Sequence, residues 1–320
     1  MNIYIKTTEN CNLNCLHCYN KKINEEIDYN KLKNFLNEIH NISKDNWFIL
    51  HGGEPMMANL EQILNIVQEF SFEKWRISTN LCYKLTNTHI KIFKLMSEIR
   101  ISFDVKIRFN SIRNLLLWKN NILYLSKNIK VPLFLNISIT KHLLKHDPKQ
   151  LLKMMQFFGI TQFGLERITL KGNALENKDI IPKYEDVDKW LCKLYYNLKE
   201  YPNIKCLDIE SLKQSISFNF NSCYGKECCC KTLTINSDGT IGNCPNNAHE
   251  VIFGNLSTNP STIINNIHKQ QHTIRKECLI CDVFKYCRGY CYQIEWQNDE
   301  CPYPKLLIKE ILHDEFSSKL

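Results

Sequence analysis

The chain has 320 residues, 44% of them apolar, a formal charge of +8 and sixteen cysteines. This length can bury a large core and suggests about two structural units, while no apolar run approaches the ~18 residues a membrane span requires. The opening residues, Met-Asn-Ile-Tyr-Ile-Lys, carry neither a charged segment nor an apolar h-region, so no signal peptide and a cytoplasmic location are expected.

In that compartment thiols stay reduced, so the cysteines read as metal ligands rather than disulfides. The positive charge alone would suggest nucleic acid. Here Lys and Arg are interspersed with Asp and Glu throughout a chain rich in Lys, Asn and Ile, which disfavours a nucleic-acid partner.

In chain order, the first two-thirds alternate short β-rich runs with longer helical patterns, the signature of βαβ units around a parallel sheet. Ile3–Ile5 reads as a first strand. Tyr29–Ile42 is a helix whose apolar face is Leu32, Phe35, Leu36 and Ile39. Trp47–Leu50 is a strand running into Gly52-Gly53, and Leu60–Phe70 a helix. Trp75–Ser78 ends at Thr79-Asn80, ahead of a helix at Ile90–Met96. Ile99–Asp104, a helix at Ile112–Leu125, Val131–Ile139, a helix at Lys149–Phe158 and Phe163–Leu170 complete six repeats. Asp186–Tyr201 reads as a connecting helix. From about Lys205 the pattern changes to short, cysteine-dense segments, with a hairpin at Leu233–Ile241 turning on Asp238-Gly239. Two units are therefore expected, residues 1–204 and 205–320.

The loop after the first strand carries Cys11, Cys15 and Cys18 in a C-x3-C-x2-C triplet. Three thiolates this close suit an iron–sulfur cluster and leave one iron of a four-iron cluster without a protein ligand. A structural zinc site would want four ligands, usually as two separated pairs. Gly52-Gly53-Glu54 follows the second strand, where glycine lets a ligand approach the backbone. The tail adds Cys278-x2-Cys281-x5-Cys287-x3-Cys291 and Cys301, preceded by Cys223, Cys229 and Gly239-x4-Cys244.

The triplet, with His17 before its last cysteine, together with Gly52-Gly53-Glu54, resembles the radical S-adenosylmethionine (SAM) enzymes, and the tail resembles their SPASM extension. The resemblance spans nearly the whole chain. It implies an α/β fold: a partial (β/α)6 barrel followed by a small Cys-rich α+β domain ending in a helix. It implies three 4Fe–4S clusters, of which the one on Cys11, Cys15 and Cys18 chelates SAM and two are auxiliary. The family's interleaving implies one auxiliary cluster on Cys223, Cys229, Cys244 and Cys291, and another on Cys278, Cys281, Cys287 and Cys301. Cys228 and Cys230 flank Cys229, and which of the three is the ligand stays open. Two zinc sites with similar spacings are the alternative for the tail.

By the same resemblance Gly52, Gly53 and Glu54 receive the SAM amino group, Ser78, Asn80 and Ser102 face its sugar and methionine ends, and His17 and Tyr19 flank its adenine. Arg113 or Arg167 would pair with its carboxylate. Cys82, Cys192 and Cys206 remain as small buried hydrophobes, with a hydrogen-donating role in an epimerisation as the other reading. The catalytic acid or base stays unassigned. Sulfatase-maturing members have an aspartate base directly after the cysteine matching Cys244; here Pro245 stands there, which disfavours formylglycine formation by that route.

The expected function is reductive cleavage of SAM to a 5′-deoxyadenosyl radical and hydrogen abstraction from a ribosomally made peptide or protein, leading to crosslinking, epimerisation or another oxidation. A flavodoxin or ferredoxin is the expected reductant. No leader-binding module precedes Cys11, so leader recognition is expected from the tail, the barrel rim or a separate protein. Two further readings stand beside it: a non-enzymatic iron–sulfur or zinc protein that binds nucleic acid or carries electrons, and radical chemistry on a small molecule.

Overall fold

The computed structural model describes residues 1–20, 25–217, 231–270, 274–291 and 293–317. Seven parallel strands form its main body: β1 (Asn2–Thr8), β2 (Trp47–Gly52), β3 (Lys74–Thr79), β4 (Glu98–Phe103), β5 (Leu133–Ile139), β6 (Gln162–Arg167) and the two-residue β7 (Lys205–Cys206). The helices between them are α1 (Tyr29–Ile42), α2 (Leu60–Glu69), α3 (Asn87–Leu95), α4 (Ile112–Asn128), α5 (Lys141–Leu144), α6 (Pro148–Phe158) and α7 (Tyr184–Leu198). These are the six strand–helix repeats of a partial (β/α)6 barrel. The short β7 extends the sheet beyond the pattern legible in the sequence.

Strand alternation sorts the side chains. Ile3, Ile5, Phe48, Leu50, Trp75, Ile77, Ile99, Ile101, Leu135, Ile137 and Phe163 are nearly inaccessible and belong to one apolar core with Leu32, Phe35, Leu36, Ile63, Val67, Ile92, Phe93, Ile122 and Leu152 of the helices. Each such side chain contributes about 1.5–3 kcal/mol on burial. The alternate residues, Tyr4, Lys6, His51, Arg76, Arg100, Asn136, Ser138 and Glu166, are polar and face the hollow of the barrel. There Glu98 Oε1 lies 2.7 Å from Arg76 Nε and 2.5 Å from Arg100 Nε, and Arg100 covers the Phe134 ring at 4.3 Å.

The cysteine-rich part opens with α8 (Leu207–Ile216) and continues the same sheet. β8 (Thr232–Ile235) lies parallel to β1 on the side away from β2, with Ile235 registered on Ile5. β9 (Thr240–Gly242) and β10 (Ile252–Asn255) follow antiparallel. The strand order is β10-β9-β8-β1-β2-β3-β4-β5-β6-β7, so the sheet is open, with β10 and β7 at its edges. The expected hairpin is present, and Gly239 takes the positive φ its turn requires (+82°). The remaining helices are α9 (Pro260–His268), α10 (Lys276–Leu279), α11 (Phe284–Cys287) and α12 (Lys305–Ser317). α12 packs back on α7, where the Tyr195 hydroxyl donates to Asp314 Oδ2 at 2.7 Å. Among the described residues no helix is long and apolar enough to cross a membrane.

Candidate active site

The loop carrying Cys11, Cys15 and Cys18 leaves the C-terminal end of β1 and is stitched to the end of β2 backbone to backbone. Gly53 N donates to Thr8 O (3.0 Å) and Glu54 N to Asn10 O (2.9 Å). A Cβ on Gly52 would sit 2.2 Å from Thr8 O, and one on Gly53 2.2 Å from Asn10 O. Gly52 also has φ +133°. Only glycine fits at either position.

Glu54 is buried, and its two oxygens accept from Met56 N (3.2 Å), Thr79 Oγ1 (2.8 Å) and Asn80 N (2.7 Å). Burial pushes its carboxyl up to about 7 against those hydrogen bonds. It therefore ties the end of β2 to the end of β3. Asn80 in turn donates to Cys11 Sγ (3.6 Å) and to Asn12 Oδ1 (2.9 Å), beside the triplet.

A second clamp comes from beyond β6. Asn173 N donates to Cys18 O (2.9 Å) and its side-chain amide to Cys15 O (3.0 Å). Gly172, at φ +53°, approaches so closely that a Cβ there would meet Cys18 O at 2.4 Å.

The thiols are mostly enclosed. Burial, then the Glu54 carboxylate, pushes Cys11 up to about 12, with Cys15 and Cys18 adding to the rise. Burial also raises Cys15, against the pull of Arg108. A metal cation bound by these thiols would therefore displace protons. Among the described residues no three His, Cys, Asp or Glu side chains converge on one metal ion.

Arg108 was not singled out from the sequence. It follows β4 and sits in the hollow beside the triplet. Its Nε donates to Asp104 Oδ2 (2.9 Å) and its Nη2 lies 3.3 Å from His17 Nε2. Burial alone would lower its pKa, but Cys15 and Asp104 more than offset this and hold it charged. His17 Nε2 is also 3.2 Å from Ser138 Oγ, and burial, then Arg108, lowers the ring to about 3, so it is neutral. The one sequence cue to Arg108 is its i,i+4 spacing from Asp104 at a strand end.

Tyr19 is half-buried beside the cysteine loop. Burial raises its phenol well above the ordinary range, and Glu166, Cys18 and Cys244 raise it further. Its phenol is thus within electrostatic reach of both the first triplet and Cys244 of the tail. Ser78 and Ser102 are half-buried on the hollow side of β3 and β4. Two other expected contacts lie elsewhere. Arg113 is exposed in the first turn of α4. Arg167 occupies the outer face of β6, its guanidinium 5.1 Å from the Tyr184 ring and lining a small cavity with Asp208. Neither is brought to the cysteine loop.

In the tail, Cys278, Cys281, Cys287 and Cys301 gather in one place. Burial pushes Cys287 up to about 11, with Cys301, Cys281 and Cys278 contributing, and Cys301 is raised by burial and by Cys278 and Cys281. Cys244, pushed to about 11 chiefly by burial, has Cys291 as its neighbouring thiol. Cys223 and Cys229, with Cys228 and Cys230, lie outside the described residues. Cys82 and Cys206 are buried, and Cys192 is half-buried on α7.

Residues 4–124 match the family model of a 4Fe-4S single cluster domain. The structure of anSMEcpe with bound AdoMet superposes with a TM-score of 0.82 at 18% identity, covering 99% of this chain and 97% of that one. Streptococcus suis SuiB bound to its precursor peptide SuiA superposes with a TM-score of 0.64 at 16% identity, covering 91% and 72%. An uncharacterised protein of Methanocaldococcus jannaschii is 25% identical over 205 residues, 60% of this chain and 70% of that one. The fold is that of the radical SAM enzymes with a SPASM domain.

Proposed function

We propose that this chain is a radical SAM enzyme that oxidatively modifies a ribosomally made peptide or protein. The observation that carries the reading is that the turn following Cys244 meets the cysteine loop at the strand ends: His249 Nε2 bonds Glu9 Oε1, two residues before Cys11. Two cysteine groups thus come together at the C-terminal ends of parallel strands, where such barrels place their chemistry. The peptide class draws support from the fold shared with SuiB, whose structure holds its precursor peptide.

Cys11, Cys15 and Cys18 would hold the first 4Fe–4S cluster. Cys278, Cys281, Cys287 and Cys301 would hold an auxiliary one, and Cys244 and Cys291, with Cys223 and Cys229, another. A reduced cluster with one iron free of protein ligands supplies the electron and the coordination site for reductive cleavage of S-adenosylmethionine and thereby hydrogen abstraction from an unactivated carbon.

The chain's own groups do the rest. The Gly52-Gly53 backbone leaves room for a ligand's amino end beside the thiols. Arg108, held charged beside Cys15, is suited to a ligand carboxylate. Neutral His17 and Tyr19 present ring faces. A low-potential carrier of the flavodoxin or ferredoxin class would deliver the electron. Pro245, which cannot accept a proton, disfavours an aspartate-dependent oxidation to formylglycine.

Anaerobic reconstitution followed by SAM and dithionite tests the reading. The wild type should yield 5′-deoxyadenosine, and Cys15→Ala none; normal yield in that variant refutes the assignment. Cys287→Ala should lose about four irons, the content of one cluster, and unchanged iron refutes the tail assignment. A colourless, zinc-loaded protein refutes both.

A further inference from the structure

Outside the hollow, α4 and α6 present an apolar patch to solvent. Ile112, Leu115 and Leu116, at i, i+3 and i+4 on one side of α4, are 78%, 41% and 51% exposed. One turn further on, Lys119 Nζ lies 5.8 Å from the ring centre of Phe157 on α6, which is itself 64% exposed. Single apolar side chains scattered over a surface are ordinary, whereas a contiguous group marks an interaction site.

Charge singles out the same face. The mixing of acids and bases that holds along most of the chain breaks down in residues 105–165, which contain ten lysines and arginines and one acid, Asp147. This stretch accounts for the whole of the chain's excess of +8. Asp147 is occupied as the N-cap of α6, and neither α4 nor α6 contains an Asp or Glu. Lys119, and Lys153 one turn before Phe157, therefore have no acid on either helix to pair with. Together the two properties select an occupant. A second copy of the chain would set the same patch against itself across a two-fold axis, cation against cation. Nucleic acid would use the cations but leave the isoleucine and leucines uncovered. A segment with apolar residues on one side and Asp or Glu beside them satisfies both, as an amphipathic helix does on a hydrophobic surface. The position suits the substrate, because the connection from β4 to α4 carries Arg108 beside the cysteine triplet and reaches Ile112 four residues later. A segment lying along α4 therefore has one end at the mouth of the hollow.

We propose that the α4–α6 face docks an acidic, amphipathic segment of the peptide substrate, remote from the reacting residue. This rests on the peptide-modifying reading and assigns where and by what chemistry the peptide is held.

The test is fluorescence anisotropy on the anaerobically reconstituted protein. The probe is a fluorescein-labelled helical peptide with leucines on one face and glutamates flanking them; control peptides carry lysine for each glutamate, or alanine for each leucine. The acidic peptide should bind, and both replacements should weaken binding at least about tenfold, as expected for loss of charge complementarity and of apolar contact. The triple variant Leu116→Ser, Lys119→Glu, Lys153→Glu, all at exposed positions, should lose the acidic peptide by the same factor and gain affinity for the lysine peptide. Dithionite-driven deoxyadenosine formation should be unchanged in it, which also shows that the variant is folded. No binding of the acidic peptide, equal binding of the acidic and lysine peptides, or a variant that binds like the wild type would each overturn the proposal. So would a labelled single-stranded RNA that binds more tightly than the acidic peptide and is lost in the variant, or a wild-type dimer on size-exclusion chromatography that the variant abolishes. Those two results would give the face to nucleic acid or to a second copy. Acidic-peptide binding without deoxyadenosine formation by the wild type would instead overturn the enzyme reading and the substrate role with it, and the binding measurements separate that failure from the others.

Discussion

At the scale of single residues, the site depends on groups whose surroundings leave them no alternative. Arg108 is enclosed with Asp104 and beside the triplet, with side chains 11% and 0% exposed. Removing one member of such a pair leaves the other buried and unpaired, at a cost of about 3–5 kcal/mol. Arg108→Gln should therefore lower anaerobic urea stability by about that amount, and adding Asp104→Asn should restore part of it. An unchanged urea midpoint in Arg108→Gln would contradict the burial. Gly172 has no space for a methyl group against Cys18 O, so Gly172→Ala must push the cysteine loop out of place. The expected result is about four fewer irons, one cluster's content, with the tail's iron retained. Iron analysis alongside Cys15→Ala checks it, since the two variants should then lose the same cluster.

At the scale of elements, the helices carry their own start signals, and one of them titrates. α3 begins with a capping box in which Thr86 Oγ1 accepts from His89 N and His89 Nδ1 accepts from Thr86 N (3.1 Å). The other ring nitrogen lies 3.2 Å from Met56 O, so Nε2 carries the proton and donates it there. Burial lowers the His89 pKa below its ordinary 6.5, against the opposing pull of Met56 O. Below that ordinary value the unfolded chain binds the proton more readily than the folded one, so stability falls as pH drops through about 6.5 and continues to fall until the folded ring titrates. Glutamine at this third helical position keeps a capping box without the titration. His89→Gln should therefore show a flatter decline in urea midpoint between neutral pH and pH 5 than the wild type. Parallel declines would show that His89 is not the titrating group.

At the scale of the whole molecule, β1 is the element on which both parts depend. It pairs with β2 on one edge and with β8 on the other, and the cysteine loop leaves its end. A chain ending at Ser217 would expose the second edge of β1 as a row of unpaired backbone groups, a template for association. Such a truncation should aggregate or form oligomers on size-exclusion chromatography, and a folded monomer would contradict this account. The same pairing brings the turn after Cys244, which follows the β8–β9 hairpin, to the cysteine loop, where His249 Nε2 bonds Glu9 Oε1.

The strands and helices of the six repeats, the Asp238-Gly239 hairpin and the cysteine triplet were all legible in the linear chain, because periodicity, turn chemistry and ligand spacing are local properties. The inward or outward direction of a strand residue was not. Glu166 and Arg167 are neighbours on β6, yet one faces the hollow and the other packs against Tyr184, since alternation turns a one-residue step into a change of face. Asn173 holds Cys15 from 158 residues away, and Arg108 meets His17 across 91; no spacing rule reaches that far. The sequence by itself determined where the thiols cluster and which segments become strands. Only the tertiary structure decided which charges, amides and glycines close around the thiols, because those contacts exist only once the strand ends are assembled side by side.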